Sequence, residues 1–393
     1  MSKKKKKRSL EPLLFASPDS DGNMQWFTRF HACDPFLAFG CEGKRIGLTH
    51  ILEYGRMKKE GRFNIVELIT DVQDEISSGK KKKKKGKKSK KSKRPEMAAI
   101  IRHLQKKYKI EGFKVGRNFP AGLLLELKAA KVHVEVVKGT LFPERAVKTR
   151  AEIKMLTDAN TSAAAGHAAV RRILRASEIG RSGVLKYAGK TVTSESLRHA
   201  VNIACLEKGG VNNLTCIVAP GDQAVDCHCV GSGPIKANEL IVVDIFPRIA
   251  ATGYYGDMTR TYLKGKASPE QRKLYNTVKK GHAMAIAAVK AGVSNRAPYK
   301  VVTDYFEEQG YETDREKGTG FFHGLGHGVG YDIHEAPNLG SRKGDKLQTG
   351  NVITIEPGLY YPGLGGVRVE DVVVVTARGC NLISKSPYSF QIP

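Results

Sequence analysis

The sequence lacks the features that mark membrane, secreted and disulfide-bonded proteins. No apolar run approaches the length that a helix needs to cross a bilayer, so no membrane association is expected. The seven cysteines are an odd number without a framework spacing, which predicts reduced thiols in a cytoplasmic protein. The apolar stretch after the basic start, residues 10–15, is too short and too interrupted to be the core of a signal peptide.

The tracts of positive charge lack aromatic residues. The net charge is +27, of which residues 3–8 contribute six positive charges and residues 80–94 contribute twelve, leaving +9 for the rest of the chain. Lysine tracts bind nucleic acid by releasing counterions, but proteins that hold single strands also stack bases on aromatic side chains. None is interleaved here, so we favour solvated, disordered tracts and keep nucleic-acid binding as the less favoured alternative.

The length of 393 residues and the order of the predicted elements indicate two domains. Residues 1–8 are expected to form a basic disordered tail. Residues 9–140 are expected to form an α/β domain with a Lys-rich insertion at 79–94, and residues 145–393 a larger domain. In the first domain we predict a β-hairpin over 35–49, strands over 63–68, 113–116 and 132–137, and helices over 97–108 and 121–130.

The larger domain combines long helices with strands rich in β-branched residues. Helical periodicity predicts helices over 150–176, 194–208, 268–291 and 299–309. Strands are predicted over 239–244, 259–263, 351–358 and 366–375.

Acidic residues lie inside or beside these apolar strands. Asp244 ends one strand, Glu356 and Glu370 lie within two others, and Asp257 directly precedes the fourth. Buried carboxylates at these positions would repel one another unless cations lay between them. Two divalent ions would balance the four negative charges, which predicts a two-metal hydrolytic site.

A glycine-rich segment supplies histidines near the last two strands. His323 and His327 alternate with glycines over residues 321–330, and His334 follows closely, which suits a backbone that approaches a ligand. His327 and the four carboxylates form an oxygen-dominated ligand set, which suits manganese, iron, cobalt or zinc better than a thiolate-bound metal. His228, between two cysteines, is either a functional imidazole or a core residue packed between thiols.

Asp244, Asp257, His327, Glu356 and Glu370, in this order and in these strand contexts, resemble the five ligands of the pita-bread metallopeptidases, which include aminopeptidase P, prolidase and methionine aminopeptidase. The resemblance covers about residues 145–380 and includes the words Asp-Met-Thr-Arg-Thr at 257–261 and Ile-Glu-Pro-Gly at 355–358. It implies an α+β protein with a C-terminal pita-bread (creatinase/aminopeptidase) fold. The order of elements in residues 9–140, and a junction at 145–149, resemble the smaller α/β creatinase-type N-terminal domain of aminopeptidase P and prolidase.

The resemblance also implies roles for these side chains. Asp244 would chelate one metal, His327 and Glu356 the other, and Asp257 and Glu370 would bridge the two. Glu356 would receive the proton of the bridging water, and the resulting metal-bridged hydroxide would attack. His323 and His334 would contact substrate near the scissile carbonyl, and His228 would assist at the tetrahedral intermediate. Manganese is the favoured metal, with cobalt, zinc or iron as alternatives.

The N-terminal domain favours an enzyme that cleaves between an N-terminal residue and proline, either an Xaa-Pro aminopeptidase or an Xaa-Pro dipeptidase. Within this family the resemblance also implies a homodimer. The alternative is a catalytically silent pita-bread binding module that uses its Lys-rich tracts for nucleic-acid or protein partners. One departure concerns Asp244 and Asp257, which are thirteen positions apart, two more than is commonest in the family. We expect the additional residues to lengthen the tip of the hairpin that joins them.

Overall fold

The computed structural model describes residues 10–81, 95–212, 214–342 and 344–393. The predicted basic tail and the Lys-rich insertion beyond residue 81 lie outside these ranges. None of the helices within them is long and apolar enough to cross a membrane. The chain divides into two compact units, Met1–Pro143 and Glu144–Pro393.

The first unit is built on a mixed sheet. Its strands are β1 (Glu11–Ala16), β2 (Phe36–Cys41), β3 (Lys44–Thr49), β4 (Ile65–Leu68), β5 (Phe113–Val115) and β6 (Val134–Val136). Its helices are α1 (Gly22–Thr28), α2 (Ile51–Glu60), α3 (Ile69–Lys81), α4 (Met97–Lys107) and α5 (Ala121–Ala129). The strand order is β4-β3-β2-β1-β5-β6, with β1, β2 and β3 antiparallel and the outer pairs parallel.

Local sequence signals explain most of this unit. The predicted hairpin is confirmed, because Cys41 pairs with Lys44 at the β2–β3 turn. Phe39 from β2 packs edge-on against Phe113 from β5, with ring centroids 6.2 Å apart, and the periodic apolar residues of α4 join the same core. The unit therefore has the α/β character expected from its alternating strands and helices.

The helices of the second unit begin at strong caps. They are α6 (Arg150–Ala176), α7 (Ser194–Leu206), α8 (Pro269–Ala288) and α9 (Ala297–Glu308). Thr149 and Glu152 form a capping box at the start of α6, and Ser268 and Gln271 form one at α8, where Pro269 occupies the first turn. Each box satisfies backbone N–H groups that would otherwise lack partners, so each helix starts where the sequence predicts.

The strands of the second unit form several small sheets. They are β7 (Glu178–Ile179), β8 (Leu185–Tyr187), β9 (Lys190–Thr191), β10 (Gly210–Val211), β11 (Ile217–Pro220), β12 (Ile241–Ile245), β13 (Arg248–Ile249), β14 (Met258–Lys264), β15 (Gly326–Gly328), β16 (Glu335–Leu339), β17 (Val352–Ile355), β18 (Gly358–Tyr361), β19 (Gly365–Arg368), β20 (Asp371–Val375), β21 (Cys380–Leu382) and β22 (Gln391–Ile392). The two larger sheets have the orders β11-β12-β14-β22 and β16-β15-β17-β20-β21.

Two segments predicted as single strands are each two strands, and that part of the prediction was wrong. The segment 351–358 divides into β17 and β18, and the segment 366–375 divides into β19 and β20. The reason is pairing, since β17 pairs with β20 in one sheet while β18 pairs with β19 in a separate hairpin. Glu356 and Glu370 therefore lie at the two points where the chain passes from one sheet to the other.

The loop between Asp244 and Asp257 contains a short strand of its own. β13 pairs with β10, and Arg248 forms a bridge with Tyr255 across the hairpin. The additional residues thus extend the hairpin, and its base is intact because Asp244 pairs with Thr259 in the β12–β14 ladder.

Candidate metal centre

The predicted ligands come from five separate points of the second unit. Asp244 lies in β12, Asp257 directly precedes β14, and His327 is the middle residue of β15. Glu356 follows β17 and Glu370 precedes β20. The two sheets and the β18–β19 hairpin meet here, so the fold itself brings distant parts of the chain together.

Asp257, His327 and Glu370 form the tightest group. Each offers one ligand atom, and these atoms lie within 4.8 Å of one another. His327 Nε2 lies 3.7 Å from Asp257 Oδ2 and 3.3 Å from Glu356 Oε1, while its Nδ1 lies 3.1 Å from the Gly328 carbonyl. A hydrogen bond from Nδ1 to that carbonyl directs Nε2 toward the carboxylates, as metal-binding histidines require.

Glu370 is held by its neighbours in β14. The hydroxyl of Thr259 donates to Glu370 Oε2 at 2.8 Å, and the Glu370 N–H donates to the Thr259 carbonyl at 3.0 Å. Arg260 donates to the Glu370 carbonyl at 2.6 Å and to Asp371 Oδ1 at 2.8 Å. The backbone and side chain of Glu370 are therefore both anchored.

Asp244 lies outside the tightest cluster. Its Oδ2 accepts a hydrogen bond of 2.8 Å from Arg368 Nη2. Its Oδ1 is buried and accepts no hydrogen bond from any residue in the parts of the chain that the structure describes. A buried carboxylate oxygen without a donor is costly unless a cation completes it.

The electrostatics of the metal-free cluster favour added positive charge. Burial, and then the other carboxylates, raise the pKa of Asp257 and of Glu370 well above the usual range, and the pKa of Asp244 is also raised. Burial alone would raise the pKa of Glu356 too, but its hydrogen bond and ion pair with His327 hold that pKa at about 2. Burial opposes protonation of His327, yet Glu356 and Asp257 raise its pKa to about 9.

The donor set therefore fits divalent metal ions. It is rich in carboxylate oxygen with one imidazole, which suits manganese, iron, cobalt or zinc. All seven cysteines lie within the described ranges, and none of them belongs to the tightest cluster or forms a disulfide.

His323 and His334 lie beside the cluster. His323 Nε2 is 2.9 Å from the Tyr360 hydroxyl, and burial lowers the pKa of His323. The His334 ring meets the His327 ring edge-on, with centroids 4.3 Å apart and an interplanar angle of 78°. Partial desolvation, and then the charge of His327, lower the pKa of His334. Both imidazoles are thus favoured in the neutral form, which can accept or share a proton.

His228 lies in an exposed loop after the 3₁₀ turn Gly221–Val225, which excludes the alternative of a core residue packed between thiols. Its backbone N–H donates to Asp226 Oδ1 at 3.0 Å. Among the described residues, the tightest cluster does not include His228.

Sequence reasoning missed the residues that orient the ligands. Arg368 is buried and donates to Asp244, to Thr259 Oγ1 at 3.3 Å and to the Tyr360 hydroxyl at 3.0 Å. Thr354 accepts from the His327 N–H at 3.0 Å. A signal for Arg368 was present, because an arginine between two valines in an apolar strand requires an acidic partner.

The model of metallopeptidase family M24 matches residues 154–377, which is more than half of the chain. An Xaa-Pro dipeptidase of Pyrococcus furiosus is 36% identical over 171 residues, covering 43% of this chain and 47% of the relative. The matched segment spans about half the length of the first curated relatives.

Solved structures share the fold over the whole chain. The Xaa-Pro dipeptidase from Bacillus anthracis superposes with a TM-score of 0.80 at 23% identity, covering 98% of this chain and 95% of that one. The X-Pro aminopeptidase from Thermotoga maritima gives 0.76 at 20% identity, covering 98% and 97%. These likenesses confirm the predicted α+β, pita-bread architecture. Together with the family match, they show that the chain belongs to metallopeptidase family M24, the pita-bread metallopeptidases.

Proposed function

We propose that this protein is a dinuclear-metal peptidase that hydrolyses the bond between an N-terminal residue and proline. The observation that carries the proposal is a buried group formed by Asp257, His327, Glu356 and Glu370. Asp244 is linked to this group through Arg368 and Thr259, and its Oδ1 lacks a donor among the described residues. Relatives in sequence and in structure that are named Xaa-Pro dipeptidase or X-Pro aminopeptidase support the substrate class.

In this proposal the ligands divide between two metal positions. Asp244 would hold one metal, and His327 with Glu356 would hold the other. Asp257 and Glu370 would bridge, which agrees with the mutual approach of Asp257, Glu370 and His327. Bound divalent metals supply a water of lowered pKa and a Lewis acid for the scissile carbonyl.

The chain's own residues would move the protons and orient the peptide. Glu356, placed beside His327, would take the proton of the attacking water. His323 and His334 would hydrogen-bond the peptide around the scissile carbonyl, and His228 would support the developing oxyanion. The bond between His323 and the Tyr360 hydroxyl would keep that imidazole oriented.

Manganese is the metal we propose, and a homodimer in the cytoplasm is the state we propose. The oxygen-rich donor set supports manganese over thiolate-seeking ions, and seven cysteines without a disulfide in the described residues agree with a reducing compartment. Light scattering of the purified full-length chain would measure the oligomeric state. A monomer at all concentrations would contradict the dimer.

The test is peptide hydrolysis by metal-stripped protein before and after addition of manganese. We expect metal-restored cleavage of an Xaa-Pro dipeptide, of an Xaa-Pro-Xaa tripeptide, or of both. Cleavage of the dipeptide alone would identify a dipeptidase, and cleavage of the tripeptide alone an aminopeptidase.

Two controls make the result specific. The same peptides with alanine in place of proline test the substrate class, and an Asp257→Asn variant of the same chain tests the metal centre. Cleavage of none of the peptides with manganese, cobalt, zinc or iron would overturn the proposal and favour a catalytically silent binding module.

A further inference from the structure

A buried ion cluster lies beside the loop that carries His334. This loop joins β15 to β16, and Glu335 follows His334 directly. The Glu335 carboxylate accepts hydrogen bonds from Arg145 Nη2, at 2.5 Å, and from Lys148 Nζ. Arg145 also donates to Asp332 Oδ2 at 2.7 Å, so one cation contacts an acid of the loop and the first residue of β16.

Both cations are fixed to the scaffold of the metal centre. The Lys148 N–H donates to the Gly350 carbonyl at 2.8 Å, and Asn351 Nδ2 donates to the Ala146 carbonyl at 2.8 Å. Gly350 and Asn351 directly precede β17, the strand that leads to Glu356. The segment with Arg145 and Lys148 therefore has a set position relative to one of the proposed metal ligands.

The other side of the loop is closely packed as well. A Cβ atom on Gly330 would lie 2.5 Å from Glu335 Oε1, so the carboxylate rests directly on the glycine. The Gly330 carbonyl accepts from the Tyr255 N–H at 2.9 Å, and Tyr331 packs on Tyr254 with ring centroids 4.2 Å apart. The loop is thus held at both ends.

His334 itself has no comparable restraint. Among the described residues no hydrogen bond to its imidazole is found, and the aromatic ring that it meets is that of His327, edge-on. The position of the ring is therefore set by the backbone on which it is carried. That backbone is placed by the pairing of Glu335 with Arg145 and Lys148.

Stability alone does not account for this cluster. Arg145, Lys148 and Glu335 have side chains that are 7%, 3% and 10% exposed. Burying charges of this kind costs about as much as their attraction returns, and apolar residues of the same volume often serve stability as well or better. Apolar residues could not form the hydrogen bonds of defined direction by which Arg145 and Lys148 hold the loop at Glu335.

We propose that Arg145 and Lys148 are positioning residues that act through Glu335 to hold His334 against the substrate side of the metal centre. This inference rests on the proposed peptidase function for its effect on turnover. Its structural part, the placement of the loop by the two cations, does not depend on that function.

The test is a double-mutant cycle between Lys148→Met and His334→Ala in the full-length, manganese-loaded protein. Lys148→Met alone is expected to lower kcat/KM by ~10- to 100-fold, since a shift of about 1 Å in a contacting group can cost that much. In the His334→Ala background the same change is expected to cost almost nothing. Lys148→Arg, which keeps the charge, is expected to retain most of the activity.

Two controls separate positioning from general damage. Lys264 is an equally buried lysine, 6% exposed, whose Nζ donates to the Arg175 and Pro393 carbonyls and which lies outside this cluster. Lys264→Met should not show the dependence on His334. Metal content, measured by mass spectrometry, should be the same in Lys148→Met and the unmutated protein.

Hydrogen exchange decides the structural part even if no peptide is cleaved. We expect faster exchange of the amides of residues 331–335 in Lys148→Met and unchanged exchange there in Lys264→Met. Equal losses of kcat/KM in both His334 backgrounds, or unchanged exchange of the loop, would overturn the inference. Inactive unmutated protein with accelerated loop exchange in Lys148→Met would overturn the proposed function and leave the positioning role standing.

Discussion

Two isosteric substitutions in the metal centre should change the stability of the metal-free protein in opposite directions. Glu356→Gln and Glu370→Gln each replace one carboxyl of the same buried cluster with an amide of nearly the same shape. Glu370, only 2% exposed, has its pKa raised well above the usual range by burial and by neighbouring carboxylates. For Glu356, burial is outweighed by the ion pair with His327, which holds the pKa of Glu356 at about 2. One carboxylate is thus destabilising without metal, and the other is stabilising.

The magnitudes follow from these shifts. For Glu356, the difference between the ordinary pKa of 4.5 and about 2 corresponds to about 3 kcal/mol in favour of the folded state at neutral pH. The Tm of a domain as large as the second unit, Glu144–Pro393, changes by about 2–4 °C per kcal/mol. Glu356→Gln should therefore lower the apo Tm by roughly 6–12 °C. For Glu370→Gln, which removes a carboxyl whose pKa is raised by burial, we expect the apo Tm to rise.

The assay is differential scanning calorimetry of EDTA-stripped protein at pH 7.5, repeated with manganese. Both variants should lose most of the metal-induced rise in Tm, because each removes a proposed ligand. Glu307→Gln, an exposed change in α9, serves as the control for loss of one charge without a buried neighbour. If both variants lower the apo Tm, or if Glu370→Gln keeps the full response to manganese, the electrostatic account of the cluster is wrong.

Three further predictions concern pH, the buried arginine and a helix cap. Because the pKa values of Asp257 and Glu370 are raised, these groups stabilise the apo protein at low pH, and this stability is lost as the pH rises through their folded-state pKa values. The increase in Tm on adding manganese should therefore be larger at pH 8 than at pH 5, and an equal increase at both pH values would contradict the shifts. Arg368→Met leaves Asp244 without its donor and should cost about 3–5 kcal/mol by denaturant unfolding, while a loss below about 1 kcal/mol would show that the ion pair is dispensable. Thr149→Ala removes the capping box of α6 and should cost about 1 kcal/mol, measured in the same way, with the exposed Thr161→Ala within α6 as the control.

Periodic and capping signals made most of the fold predictable. The long helix α6 was predicted over 150–176 and spans Arg150–Ala176, because its cap and its apolar stripe are both local properties of the sequence. The β2–β3 hairpin was predictable for the same reason, since a short polar turn separates two apolar runs.

The division of the last strands could not be predicted, because it depends on partners distant in sequence. The segment 366–375 is rich in valine and carries no glycine or proline at Val369 or Glu370 that would mark a turn. It divides there because β19 pairs with β18 while β20 pairs with β17, and no local pattern records which sheet a strand will join.

Acidic residues in apolar strands indicated the candidate site, but not the residues that hydrogen-bond to the proposed ligands. Thr259 and Arg368 contact the proposed ligands through register across different strands, so their roles appear only once the pairing is known. The core position of His228 could be excluded only from its exposure in the structure, because a histidine between two cysteines has the same local pattern whether it is exposed or buried.

The charges of the centre explain why the same residues are costly for folding and suited to metals. Four carboxylates face two cations of the chain, Arg368 and His327, which leaves two negative charges uncompensated. Burial and mutual repulsion raise the pKa values of Asp257 and Glu370 well above the usual range, so these two carboxyls favour the protonated form. Asp257 and Glu370 are also the two carboxylates in the tightest cluster, where cations would displace those protons. A site that was fully balanced without metal would have a more stable apo fold, and for that reason a weaker hold on its ions.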